Sequence, residues 1–61
     1  MSPQEARILS LVAAGIPATS IACVLGLHIE VLAESLVAIR ARFNVDSMSG
    51  AVALATDSGL I

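Results

Sequence analysis

The side chains able to do chemistry are few: one thiol at Cys23, one imidazole at His28, the carboxylate pair Glu30 and Glu34, and the arginines Arg40 and Arg42. A nucleophile needs a base beside it, and a structural zinc needs four spaced ligands. A lone thiol and a lone histidine satisfy neither, and no glycine-rich phosphate loop occurs. The chain therefore reads as no enzyme, with no cofactor and no metal. Cys23 cannot close an internal disulfide; it reads as a small apolar residue of a protein expected in the reducing cytoplasm. His28 reads as a turn residue.

The carboxylates remain. Glu30 and Glu34 are four residues apart, so on a helix they share a face. One reading is a solvated face. The other adds the neighbouring Val31, Ala33 and Val37, with Val24 upstream, to make a mixed apolar and acidic patch suited to a partner protein. In a DNA groove a carboxylate can accept only from the cytosine amino group.

Composition points the same way. The 61 residues carry three basic and five acidic side chains, a net charge of −2, which is unusual for a protein that holds a polyanion. Hydrophobic residues make up 57% of the chain, more than so short a core can cover, although alanine inflates the figure without adding much apolar area. The excess predicts a sticky surface that meets another chain. No Asp, Glu, Lys or Arg lies between Ile8 and Ile29. That stretch fails as a membrane span because Gly15, Ile16 and Pro17 interrupt it, Ser10, Thr19 and Ser20 dilute it, and no positive cluster flanks it. No membrane partner is expected.

The elements that position these residues are all helical. Ser2-Pro3-Gln4-Glu5 spells a helix start, with Ser2 as cap, Pro3 where a missing N–H is harmless, and Glu5 completing a capping box. Helices are predicted at about 3–14, 18–25, 29–43 and 48–58 of a single domain covering 1–61. Gly15, Gly26, Asn44 and Gly59 serve as stops. Leu32, Leu36, Ile39 and Phe43 form the inward stripe of the third helix. Ile21-Ala22, Leu25-Gly26-Leu27, Leu32 and Leu36 make a helix-turn-helix: Ala22 is small where two helices approach, and Gly26 permits the sharp turn.

From Ser2 to Ile61 the chain resembles the LuxR/GerE helix-turn-helix family. The likeness is carried by Ser2-Pro3-Gln4-Glu5, Ile8-Leu9, Leu11-Val12-Ala13, Gly15, Ile21-Ala22, Leu25-Gly26, Ile39, Val45, Ala51-Val52-Ala53-Leu54-Ala55 and Gly59-Leu60. The resemblance implies an all-α, four-helix fold whose third helix enters the DNA major groove and whose fourth commonly pairs with a second copy. It also implies lysines where this chain has Glu30 and Ala33, a polar residue at Val31, and basic or polar residues at Thr19, Cys23 and Val24. The departures therefore concentrate where the family touches DNA. Because the chain begins almost at the first cap, no sensing module is expected within it, and control is expected through abundance or a partner.

Three functions follow as expectations. The leading one is a transcription-associated regulatory protein with a degenerate LuxR-type helix-turn-helix, an antiactivator or adaptor whose partner-facing surface is Val24, Glu30, Val31, Ala33, Glu34 and Val37. Its expected partner is another regulatory protein, such as a full-length LuxR-type regulator whose basic surface the acids complement. The alternative is a DNA-binding regulator, weak on its own and acting as a dimer or with a second protein, with Thr19, Arg40 and Arg42 on the DNA backbone. The third is homodimerisation through a seam of Ala51, Val52, Ala55 and Thr56 on the fourth helix.

Overall fold

Ser2 accepts a hydrogen bond on its hydroxyl from the Glu5 N–H (3.2 Å), and Glu5 Oε1 accepts one from the Ser2 N–H (3.0 Å). This reciprocal capping box starts helix α1, Pro3–Ala13. The computed structural model describes residues 2–61 and continues with α2, Ala18–Leu25, α3, Ile29–Phe43, and α4, Met48–Asp57. No strand occurs among the described residues. Relative to the sequence reading, α1 and α4 each stop one residue earlier, at Ala13 and Asp57.

All four helices end in the same way. A residue with positive φ follows the last turn: Gly15 (82°), Gly26 (68°), Asn44 (55°) and Gly59 (74°). The next residue is apolar and donates its N–H back to a carbonyl five positions earlier. Ile16 bonds Leu11 (3.2 Å), Leu27 bonds Ala22 (2.8 Å), Val45 bonds Arg40 (3.0 Å) and Leu60 bonds Ala55 (2.8 Å). These are Schellman stops, which satisfy carbonyls that the helix leaves free and turn the chain toward the core. Ser47 caps α4 by accepting from the Gly50 N–H at 3.2 Å. His28 occupies the N-cap of α3 but makes no side-chain bond there.

The core is aliphatic. Ile8, Leu9, Ile21, Ala22, Leu32, Ile39, Ala51 and Ala55 are buried, with no buried polar side chain among the described residues. Leu36, Phe43, Leu25 and Val12 pack around them, half-buried. α1 packs on α4 and α2, and α3 packs on α2 and α4. Gly50 lets α4 pass close to the preceding loop, since a Cβ there would stand 3.2 Å from Val45 Cβ.

Between α2 and α3 the chain turns through 110°. Among the described residues no single helix is long and apolar enough to cross a membrane; α2 and α3 together would qualify by length and composition, but the turn divides them.

The seam expected on α4 needs correction. Ala51 and Ala55 are fully buried in the molecule's own core, so neither has surface to offer a second copy. Val52 is half-buried and Thr56 exposed, its hydroxyl donating to the Val52 carbonyl at 2.8 Å. The small residues of α4 are small because α1 and α3 approach it, a reason that sequence spacing alone does not separate from dimerisation.

Candidate functional site

The helical repeat of α3 decides which of its residues can meet a partner. With 100° between successive residues, Glu30, Glu34 and Val37 fall on a common face opposite the buried Leu32 and Ile39. All three are exposed, Val37 by 55%. They form a ridge of two carboxylates and one branched aliphatic chain, continued by the exposed Ala41. Val31 and Ala33 are also exposed, but they flank this ridge on opposite sides and do not share a patch with each other. Glu30 lies in the first turn, where a carboxylate complements the helix dipole. Glu34 stands past that first turn, where the dipole no longer favours an anion.

Val24 is 64% exposed on α2, yet it belongs to a different feature. With Ala6, Arg7, Ser10 and Leu11 of α1 it lines a shallow groove of about 280 Å³. The six residues expected to form one partner surface are thus divided between a ridge on α3 and a groove between α1 and α2. Sequence reasoning missed Arg7 and Ser10. Their i, i+3 spacing placed them on one side of α1, but only the docking of α2 shows that Val24 closes that side into a groove.

The arginines differ from one another. Arg42 reaches back to α1, its guanidinium 3.5 Å from Glu5 Oε1. Glu5 is held below the ordinary glutamate value, first by the hydrogen bond it accepts from the Ser2 backbone, with the Ser2 hydroxyl and the Arg42 charge adding to it against partial desolvation. Arg42 therefore joins the end of α3 to the start of α1. Arg40 is half-buried and makes no ion pair among the described residues, nor does the exposed Arg7. Thr19 is exposed in the first turn of α2. Cys23, read from sequence as a small apolar residue, is a free and exposed cysteine. No group of three His, Cys, Asp or Glu among the described residues is placed to hold a metal ion.

A second groove, about 330 Å³, runs between α1 and α4 and is lined by Val12, Ala13, Met48, Ser49, Val52 and Ala53. It brings no charged side chain to its walls. Neither a family model, nor a curated protein, nor a solved structure matches this chain.

Proposed function

We propose that this chain is a small regulatory protein whose LuxR/GerE-like helix-turn-helix engages another protein through α3 instead of reading DNA. The observation that carries this reading is the makeup of the α3 ridge: Glu30, Glu34 and Val37 occupy the outward face, and no arginine lies on it. A duplex binder gains affinity by neutralising phosphates, with a salt slope of about 0.9 per contact. Here two carboxylates would meet the phosphates, and the cations of α3 are Arg40 and Arg42 in its last turn. The same ridge suits a partner with a basic recognition surface, such as a full-length regulator of the LuxR type, which fits an antiactivator or adaptor working in the cytoplasm.

The test is fluorescence anisotropy of a labelled generic duplex titrated with the protein at low salt and across a salt series. No binding is expected up to about 100 μM, a concentration at which non-specific DNA binders register. Binding that weakens steeply with salt and is lost in the Arg40→Ala/Arg42→Ala double variant would overturn the reading in favour of a DNA-binding regulator. In a pull-down with a LuxR-type regulator, Val31→Lys/Val37→Lys should abolish capture. Both valines are exposed, so the fold should tolerate the change, and undiminished capture would count against the α3 face.

A further inference from the structure

The ridge and the groove of this chain are complementary to each other. The ridge offers Val37 with Glu34 and Glu30 successively toward the helix N-terminus, and the groove offers an apolar lining of Val24 and Leu11 beside Arg7, free of any ion pair among the described residues. An exposed helix face laid into an apolar groove is a recurrent mode of protein recognition. Ser10 adds a hydroxyl that makes no side-chain hydrogen bond within the chain among the described residues. The ridge points away from its own core, so within one molecule it does not reach that groove. The α1/α4 groove has no charge to select an occupant, which sets it apart.

We propose that the α3 ridge of one molecule docks into the α1/α2 groove of a second copy of this chain, head to tail, with Val37 entering beside Val24 and Glu34 or Glu30 meeting Arg7. The inference rests on the reading that the exposed face of α3 is a protein-docking surface, and it names one partner for it. Exposed ion pairs contribute little affinity, so the valine contact supplies the attraction and the charges fix orientation. A contact between different patches leaves one groove and one ridge unused at the two ends of every pair, so association continues beyond the dimer. Because it uses the ridge that another regulator would need, self-association competes with partner capture.

Sedimentation equilibrium tests this with two variants at exposed positions. Arg7→Glu spoils the groove and keeps the ridge; Val37→Glu spoils the ridge and keeps the groove, and its acidic ridge is repelled by the Arg7→Glu groove. The wild-type average mass should rise past the dimer as the concentration is raised, as a small, weak interface requires. Each variant alone should stay monomeric, with self-affinity down at least tenfold. Mixed one to one, they should form a dimer that grows no further, since one intact ridge meets one intact groove. Val24→Glu, judged by circular dichroism to be folded, should behave as Arg7→Glu does. A monomeric wild type, variants that associate as the wild type does, or a mixture that stays monomeric would overturn the proposal. A wild-type mass that stops at the dimer would replace head-to-tail order with a two-fold contact and overturn it too. Failure here with no duplex binding leaves the protein-contact reading standing, whereas salt-sensitive duplex binding removes that reading itself.

Discussion

Glu5 serves two structures at once. Its carboxylate closes the capping box with Ser2 and receives Arg42 from the far end of α3. The folded state therefore holds this group ionised more firmly than the unfolded chain, whose glutamate titrates near 4.5. The sign follows from proton linkage: the stabilisation is present above that pH and is lost as the pH falls through the lower folded-state value. Thermal melts from pH 6 downward should show the melting temperature falling below about pH 4.5, and Glu5→Gln should flatten that limb. Ser2→Ala, which removes the cap hydroxyl, should cost about 1 kcal/mol, or about 4–8 °C in melting temperature for a domain of this size. The capping box is legible in four consecutive letters because its bonds are local. The Arg42 contact is not, since only the packing of α3 brings residues so distant in sequence together. That is also why sequence offers Arg42 only as a contact for a DNA backbone, whereas in the structure it lies beside Glu5.

The helices themselves are largely written in their ends. Pro3 and Ser2 announce α1, Ser47 announces α4, and each stop is a glycine or asparagine followed by an apolar residue. The inward stripe of α3 is equally plain, because Leu32, Leu36, Ile39 and Phe43 recur at helical spacing. α4 is harder. Ala51 and Ala55 look like a seam for a second copy, yet they lie at 0% exposure under the molecule's own α1 and α3. Four-residue spacing of small side chains states that something comes close, not which helix it is. Gly26 gives the element scale its test. A Cβ there would meet nothing within 4 Å, so Gly26→Ala should lose stability through the left-handed backbone alone, about 1–2 kcal/mol. Gly26→Asn should lose less, because a short amide side chain tolerates that conformation. Urea midpoints of the two variants distinguish backbone strain from a packing fault, which would penalise asparagine more than alanine.

Across the whole molecule, the sequence correctly implies more apolar surface than the core conceals: Val24, Ile29, Val31, Val37, Leu54 and Leu60 are all exposed. What composition cannot supply is their distribution. Val24 faces a groove with an arginine, Val37 crowns a ridge with two carboxylates, and that separation makes them complementary instead of one continuous patch. A surface this apolar depends on net charge to stay dispersed. Turbidity of concentrated protein should therefore peak near the isoelectric pH of about 4.9 and fall on either side, and Val31→Lys/Val37→Lys should move the maximum upward. The four Schellman stops carry one more consequence, for how fast the chain finds this arrangement. Each is completed by residues within six positions of one another, so the stop signals themselves require no distant contact. The packing of α1 on α4 is then the principal step that must close a long loop. Proteins built so largely from local contacts refold in microseconds to milliseconds, and the time spent with these valines exposed on an unfolded chain is correspondingly brief.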